Sequence, residues 1–467
     1  MFNLKQHNTT VRTELIAGIT TFMAMAYILM VNAGMFSALG DGYYNAVYIA
    51  TAISAVFGTL LIGLLANLPL AQASGMGLNA FFVFSVCIGM NFTYANALVM
   101  VLVDGIVFLI LTVTGLRRVI FDAIPKAVKA AIAPGIGLFI AFLGLQNSGI
   151  VVNSDSTLVD LHSFNLMFGH TTWAEIMPLL VTIFAIIAIA AMAKKKVKGA
   201  VFWGIIGGAV AYYALGLITI ENFYAEHVQG SLSLNIIQPF RDFFSLSFGK
   251  VFTEGFDFSA FIAANGAGSF VATFIATMLA FCMVDMFDTL GTLYGACSVG
   301  NLLDKEGNVP NMDKAMLADA AATCFGAVCG TSTVTTFVES STGIEDGGRT
   351  GLTSMTTGIL FLLAIVLAPV AGIVPSAATA PALIIVGVFM MKGVLKIDWS
   401  DMETAIPCFL TIAMMPFAYS IADGIGFGII SYTLIKLARG KAKEVPVLMY
   451  ILSVLFILSY VLLATAA

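Results

Sequence analysis

The stretch that decides the fold is "GTSTVTTFVESSTGIEDGG", residues 330–348, which interrupts the second half of a strongly apolar chain. A matching interruption, "PLAQASGMGLNAFFVFSV" at residues 69–86, stands in the corresponding place of the first half. Both begin with an extended-looking stretch rich in small and hydroxyl side chains and turn helical only later. Broken backbone inside a bilayer is tolerated only where it is buried in protein or lines a cavity. The two interruptions therefore predict a binding site near the middle of the membrane.

The composition around these stretches is that of a membrane protein. Of the 467 residues, 60% are hydrophobic and 10% are charged, whereas soluble domains average about 45–50% and about 25%. The six cysteines show no metal-type spacing, and the four histidines fall outside the apolar runs. We therefore expect no metal site and no cofactor. The apolar run behind the polar N-terminus is too long for a signal-peptide core and predicts a retained first span.

A crossing helix needs about 20 apolar residues, and such runs fall into two sets. The first set lies near 14–36, 44–66, 78–90, 94–115, 130–147, 173–192 and 198–219. A polar stretch of about 45 residues follows. The second set lies near 268–296, 313–330, 339–346, 350–374, 377–395, 402–420 and 421–439. The run 446–465 is left over, and the sequence does not decide whether it spans the membrane or lies along it.

The basic residues support counting the two short segments, 78–90 and 339–346, as crossings. With the N-terminus in the cytoplasm, 19 of the 21 basic residues fall on the cytoplasmic side. The exceptions, Arg241 and Lys250, lie in the long loop, where the positive-inside rule has little force. Seven crossings followed by seven place the second set in inverted orientation. The prediction is an all-α polytopic membrane protein, a seven-plus-seven inverted repeat whose third and tenth spans are discontinuous and contain short extended stretches.

Carboxylates inside the spans are the candidate functional groups, since each costs roughly 2.5–3.5 kcal/mol at the bilayer centre on insertion scales. Asp285 and Asp288 stand at positions i and i+3 and share one helix face. Two such groups in a poorly hydrated place are suited to holding a proton between them. The alternative is a packing pair satisfied by hydroxyl and backbone donors. For Asp104 and Asp319, interhelical hydrogen bonding is the preferred interpretation.

The two breaks supply the other candidates. Glu339 stands where the Thr-rich stretch turns into a short helix, whose first N–H groups, near Ser340, are open to a ligand. In the first repeat, Gly75 and Gly77 allow a ligand close to the backbone. The Asn79 amide that follows offers both a donor and an acceptor. Four aromatic rings lie near this predicted site and either stack on a planar ligand or simply pack: Phe81, Phe82, Phe287 and Phe337.

These groups describe a neutral or weakly charged ligand rich in N–H donors, and a nucleobase fits. At this point the chain resembles a known family. The motifs "ASGMGLNAFF" (73–82), "MVDMFDTLGTL" (283–293) and "GTSTVTTFVESSTGIEDGGRTG" (330–351) resemble the adenine/guanine/hypoxanthine permease branch of the nucleobase–cation symporters, or xanthine/uracil permeases. The resemblance extends over nearly the whole chain. The related xanthine/uracil branch tends to have a Glu and a His on the eighth span, where this chain has two aspartates.

The resemblance implies a transporter, not an enzyme, that imports purine nucleobases with protons by alternating access. It implies binding positions at Asn79, Asp285, Asp288 and Glu339. We assign substrate contacts to Asn79, Asp285 and Glu339, to which we add Gly75, Gly77 and Ser340, and proton coupling to Asp285, Asp288 and Glu339. It also implies a core domain (1–116 and 265–375) and a gate domain (117–264 and 376–467). The expected partners are the base, a proton, the bilayer and a second copy in a homodimer, with no nucleic acid. The expected location is the cell membrane, with the N-terminus in the cytoplasm.

Three rival interpretations remain. An anion transporter on the same fold would want a positive centre at the broken spans, and Arg349 is the only basic residue nearby. An intramembrane aspartyl protease needs aspartates on facing helices, whereas Asp285 and Asp288 share one face. A channel is hard to separate by sequence, although inverted broken spans favour alternating access. The motifs do not distinguish adenine, guanine and hypoxanthine, nor protons from sodium.

Overall fold

A computed structural model describes residues 2–115, 125–154, 156–165, 171–224, 235, 237–299, 302–304 and 309–466. Nine helices within these residues are long and apolar enough to cross a bilayer. Three of the basic residues counted on the cytoplasmic side, Arg117, Arg118 and Lys305, lie outside the described residues.

The first repeat consists mainly of long helices with one short strand at the break. Its elements are α1 (Val11–Met25), α2 (Tyr27–Phe36), α3 (Tyr43–Leu65), β1 (Gln72–Ser74), α4 (Met76–Ala80), α5 (Tyr94–Thr114), α6 (Lys126–Asn147), β2 (Val151–Ser154), β3 (Leu158–Leu161), α7 (Trp173–Lys194) and α8 (Ala200–Thr219). The α4 helix continues as a π-helix over Phe81–Gly89. The third span is therefore a strand followed by a half-helix, as predicted.

The second repeat has the same order of elements after a connecting segment of short helices. Its elements, with that connection, are α9 (Ile237–Asp242), α10 (Lys250–Thr253), α11 (Ser259–Asn265), α12 (Ala267–Val299), α13 (Met312–Cys329), β4 (Val334–Thr336), α14 (Ser340–Glu345), α15 (Gly351–Ala364), α16 (Ala368–Ala371), α17 (Ser376–Met390), α18 (Met402–Phe417), α19 (Ile421–Ala438) and α20 (Val447–Ala466). The tenth span is again a strand followed by a short helix.

The two interruptions meet. Strands β1 and β4 pair antiparallel, with Gln72 opposite Thr336 and Ser74 opposite Val334. Each repeat contributes one strand, so neither can satisfy its broken backbone alone. Backbone groups buried in an apolar region need hydrogen-bond partners, which explains why the breaks occur as a pair.

Most of the long helices pack into two sets. The α3 set consists of α1–α5, α13 and α15, in which α13 lies against α5 and α3, and α15 lies against α3 and α1. The α6 set consists of α6–α8 and α17–α19, in which α17 lies against α6, α7 and α8. Helix α12 contacts members of both sets, and α20 packs on α12 and α19. Strands β1 and β4 pack on α3, α12 and α13, and α4, which follows β1, also contacts α6 of the other set.

Three features were not predicted. The first span consists of two helices, α1 and α2, joined at Ala26, whose backbone keeps helical dihedral angles and donates to the Phe22 carbonyl at 2.7 Å. Strands β2 and β3 form a hairpin in the connection between the fifth and sixth spans. The predicted polar loop contains short helices, because runs such as "SAFIAAN" (259–265) are apolar enough to bury one face yet far too short to cross.

Candidate functional site

The paired strands β1 and β4 form the backbone framework of the candidate site. Beyond the three paired residues, the Gly75 N–H donates to the Thr333 carbonyl at 3.0 Å, and the Phe337 N–H donates to the Ala71 carbonyl at 3.0 Å. The side chains of β1 and β4 are buried throughout. The extended backbone of both interruptions is thus held by hydrogen bonds between the two repeats.

Asn79 lies on α4, next to the paired strands β1 and β4, which together are called the strand crossing. Its Oδ1 accepts from the hydroxyls of Ser74, at 2.7 Å, and Ser332, and its Nδ2 donates to the Ser74 carbonyl at 3.2 Å. The Ser74 hydroxyl also shares a 2.7 Å hydrogen bond with Thr331. The amide therefore bonds to both interrupted stretches, and its contact with substrate stays a prediction.

Glu339 stands immediately before α14 and is half-buried. Its Oε1 accepts a 2.6 Å hydrogen bond from the hydroxyl of Tyr27, a residue with no solvent exposure. The Tyr27 hydroxyl also lies 3.9 Å from the Sδ of Met76, the first residue of α4. Tyr27 is the first residue of α2, so this helix positions the donor for Glu339.

Asp288 completes an acidic pair across the crossing. Its Oδ2 accepts from the Thr335 hydroxyl at 3.3 Å, and its carboxyl is close enough to Glu339 to interact electrostatically. A Cβ on Gly75 would lie 2.9 Å from Thr335 Oγ1 and 3.6 Å from Asp288 Oδ2. Asp285, one turn earlier on α12, is fully buried, whereas Asp288 is partly exposed.

The remaining predicted residues lie near the crossing in different surroundings. A Cβ on Gly77 would meet Ile136 Cγ2 of α6 at 2.7 Å, so this glycine permits close packing between the two helix sets. The Ser340 hydroxyl accepts from the Ala71 N–H at 3.0 Å, and the Ser340 N–H donates to the Phe337 carbonyl at 3.2 Å. The expectation that the N–H groups near Ser340 are open to a ligand is therefore wrong, because they bond to backbone carbonyls of the preceding turn. Ligand contacts at Gly75, Gly77 and Ser340 stay predictions.

The arrangement presents two carboxylates, at Glu339 and Asp288, beside a backbone crossing that is buried in the protein. Carboxylates are acceptors when ionised and offer a donor when protonated. Arg349, the basic residue closest to Glu339 in the sequence, donates through its guanidinium to the carbonyls of Ile344 and Gly348 at 2.6 and 2.7 Å. It caps the far end of α14 and does not supply a positive centre at the crossing. The site is therefore suited to a ligand with N–H donors.

Comparison with known proteins agrees with this architecture. The sequence profile of the Permease family (Xan_ur_permease) matches residues 12–427. The "Guanine/hypoxanthine permease PbuG" of Bacillus subtilis (strain 168) is 40% identical over 470 residues, covering 99% of this chain and 99% of that protein. The "Adenine permease AdeP" of Escherichia coli (strain K12) is 36% identical over 461 residues, covering 99% and 95%.

The chain belongs to the Permease family. Within it, the chain belongs to the adenine/guanine/hypoxanthine permease branch, so the resemblance in the motifs is confirmed. The family is one of transporters, which also confirms that the chain is not an enzyme.

A solved structure, "The transmembrane domain of a cyanobacterium bicarbonate transporter BicA", matches this permease with a TM-score of 0.61. The match covers 88% of this chain and 97% of that chain at 15% sequence identity. At this identity the match concerns the fold alone. It confirms the inverted-repeat membrane fold.

Two further carboxylates of the spans, Asp319 and Asp104, have structural surroundings. Asp319 is fully buried and accepts from Gln72 Nε2 at 3.2 Å and from Thr289 Oγ1 at 2.9 Å. It therefore joins α13 to β1 and α12, and the prediction of an interhelical hydrogen-bonding role is confirmed. Asp104 is buried as well.

The aromatic residues named as stacking candidates mostly pack. Phe81 makes an edge contact with Phe281 at 4.8 Å between ring centroids, and Phe82 lies 5.1 Å from Phe36. Both are fully buried, and Phe337 is 7% exposed. The side chain of Phe287 lies outside the described residues.

Two site residues escaped sequence reasoning. Tyr27 lies in the run "MAMAYILM" (23–30), where nothing distinguishes a functional tyrosine from a packing one. Thr335 belongs to a stretch of many hydroxyl residues, and only the strand register shows which of them faces Asp288. The sequence carries no local signal for either residue, because the role of each depends on a contact with a residue about 50 to 300 positions away.

Proposed function

We propose that this permease imports a purine nucleobase together with a proton by alternating access. The observation that carries the proposal is the convergence of Glu339 and Asp288 on the strand crossing, in a chain similar to proteins named guanine/hypoxanthine and adenine permeases. The site itself supplies the chemical reason for such a substrate.

Purine bases present N–H donors along their edges, and carboxylate oxygens accept such bonds. Glu339 is already oriented by Tyr27 at 2.6 Å, so it loses little side-chain freedom when a base binds. Asp288, which bonds to Thr335 of β4, offers a second acceptor. Hydrogen bonds to charged groups are worth about 1.5–3 kcal/mol each, which is sufficient to discriminate between bases that differ in one donor.

Proton coupling in this proposal uses the same two side chains. Two interacting carboxyl groups titrate as a pair and not as independent groups. A proton taken up by the pair together with the base would reduce the net charge that must move through the membrane. Asp285, on the same face of α12 and fully buried, is proposed as a further proton acceptor.

Alternating access requires two units that move relative to one another. We propose that the α3 set with α12 and α14 forms the core and that the α6 set forms the gate, with the predicted domain limits 1–116, 117–264, 265–375 and 376–467. The packing of the two sets supports this division. The distribution of basic residues supports a cytoplasmic N-terminus in a cell-membrane protein, and the resemblance supports a homodimer.

An anion transporter on this fold is less supported. The bicarbonate transporter shares the fold at 15% identity, which says nothing of substrate. Arg349 is committed to backbone carbonyls at the far end of α14. An anion would also meet Glu339 and Asp288, whose negative charge disfavours it.

The test is uptake of labelled adenine, guanine and hypoxanthine by cells that express the permease, with and without an uncoupler. We expect concentrative uptake of at least one purine, inhibited by unlabelled purines and abolished when the proton gradient collapses. Uptake that persists without the gradient would remove the proton coupling. Uptake of bicarbonate or sulfate without any purine would remove the substrate proposal.

A further inference from the structure

A cavity between the two helix sets lies away from the strand crossing. It has a volume of about 410 Å³, within the range of about 300–1,000 Å³ typical of small-molecule sites. Met30 and Gly34 of α2 line one wall, and Asn147 of α6 and Thr379 of α17 line the other. The cavity therefore opens along the boundary that alternating access would move.

The helix geometry connects this cavity to the proposed substrate site. Met30 and Val31 stand three and four residues after Tyr27, so all three share one face of α2. Tyr27 contacts Glu339, whereas Met30 and Val31 line the cavity. The cavity thus lies about one helical turn beyond the substrate site, toward the end of α2 that the basic-residue distribution predicts to be outside.

The lining has a specific chemical character. Among the described residues that line the cavity, none is charged. Phe84 and Tyr44 offer aromatic surfaces, Met30 offers a polarisable thioether, and Asn147 and Thr379 offer hydrogen-bonding groups. A flat, neutral heterocycle suits this combination, since the rings can stack while an amide bonds to its edge. A free anion or cation finds no counter-charge.

The opposite side of the same boundary is closed. Lys198, between α7 and α8, forms an ion pair with Asp346 at the end of α14. Thr20 of α1 also donates to Asp346 Oδ2 at 2.6 Å, and a Cβ on Gly199 would lie 3.2 Å from Met23. The two helix sets therefore meet beside the C-terminal half of α1, before Tyr27 in the chain, whereas the cavity lies beyond Tyr27.

We propose that this cavity is an outer access site that binds the neutral purine base before it reaches Glu339, with Asn147 and Thr379 as specificity-determining residues. The inference rests on the proposed purine transport and deepens it, because it adds a second, weaker site on the same route. Selection among bases then begins at the uncharged cavity and is completed at the carboxylates of Glu339 and Asp288.

The test uses a cysteine at Gly34, which faces open space with no atom within 4 Å of an added Cβ. The Gly34→Cys variant is treated with a membrane-impermeant thiol reagent, with and without purine, and the unchanged permease gives the background. We expect labelling from outside, slowed about tenfold at a base concentration ten times the dissociation constant. Gly268→Cys is the matched control, because Gly268 is exposed at the start of α12 with open space around it. It should label without protection.

A second variant separates the access site from the central site. In Gly34→Cys combined with Glu339→Gln, protection should persist at nearly the same base concentration, because the access site does not use Glu339. Protection that is lost together with Glu339 would overturn the proposal, as would equal labelling with and without base in a permease that transports purines. Asn147→Ala and Thr379→Val should raise KM about threefold to tenfold, the loss of one neutral hydrogen bond, while the maximal rate is kept. A permease that transports no purine in the uptake assay would fail for the separate reason that the proposed function is wrong.

Discussion

Glu339 is the side chain on which the proposed substrate site depends most. Replacing it with Gln keeps the shape but turns one acceptor into a donor, which faces the donor edge of the base. The loss of a charged hydrogen bond, about 1.5–3 kcal/mol, should weaken binding roughly tenfold to a hundredfold or more. Equilibrium binding of labelled purine to purified Glu339→Gln measures this. Glu345→Gln, an exposed residue at the end of the same helix, should bind like the unchanged protein.

Tyr27 provides a finer test of the same carboxylate. Tyr27→Phe removes only the hydroxyl that donates to Glu339 at 2.6 Å, so the carboxylate loses a buried partner and its fixed orientation. We expect KM for the base to rise about fivefold to thirtyfold, equivalent to about 1–2 kcal/mol, with a changed pH dependence of uptake. Tyr48→Phe is the matched control, because that buried hydroxyl donates to the Ala364 carbonyl at 3.1 Å. It should leave the pH profile unchanged.

Substitution of the two aspartates of α12 should separate purine binding from proton coupling. Asp285→Asn removes a fully buried acid, and an amide cannot release a proton into the transport cycle. We expect concentrative uptake to be lost while exchange of labelled for unlabelled base remains. Asp288→Asn should impair both partly, because Asp288 contacts Thr335 and interacts with Glu339. Normal accumulation by Asp285→Asn would return that residue to a packing role.

At this scale the acidic side chains could be predicted and their neighbours could not. A charge in an apolar span is conspicuous because it is costly, which is why Glu339, Asp285 and Asp288 stand out. Tyr27 is one of 13 tyrosines, and the residues around it are apolar like those of any buried helix. Its importance becomes visible only when α2 packs against the second repeat.

At the scale of elements, the strand crossing limits what can occupy Gly75. An added Cβ would press on Thr335 Oγ1 at 2.9 Å, the hydroxyl that donates to Asp288. Gly75→Ala should therefore displace Thr335 and lower purine uptake at least severalfold, while Gly268→Ala, with open space around it, should not. Uptake and thermal unfolding should be measured together. Full activity in Gly75→Ala would show that Thr335 is not needed beside Asp288.

The element order was largely predictable because membrane crossing imposes a length on every helix. The paired breaks were predictable because their residues contrast with the apolar runs around them. The hairpin of β2 and β3 was not, since its two strands, "VVNS" and "LVDL", are too short to show a reliable alternation. The short helices in the connection before α12 were not predicted either, because their apolar runs are far too short to cross a membrane.

At the scale of the whole molecule, the ion pair of Lys198 and Asp346 joins the two helix sets at the end opposite the outer cavity. Partly exposed pairs are worth up to about 1 kcal/mol, so Asp346→Ala should shift the balance of conformations by up to about fivefold toward opening at that end. Labelling of Gly34→Cys from outside should slow accordingly.

The swapped pair Lys198→Asp with Asp346→Lys should restore the labelling rate if the ion pair itself is responsible. Lys250→Ala breaks another surface pair, with Glu254 in α10 and its flank, and should have no effect. An unchanged rate in Asp346→Ala would mean that packing of Gly199 against Met23, not charge, holds this end closed.

The pairing of β1 with β4 has a further consequence for how this protein can change over evolution. Each residue pair of the two strands, such as Ala73 opposite Thr335, joins the first repeat to the second. A shift of the pairing by one residue turns every side chain of a strand to the opposite face. A single insertion or deletion in either segment would move Glu339 or Asn79 relative to the other half. The lengths of these two segments are therefore locked together, and new substrate preferences should arise by substitution and not by changes in length.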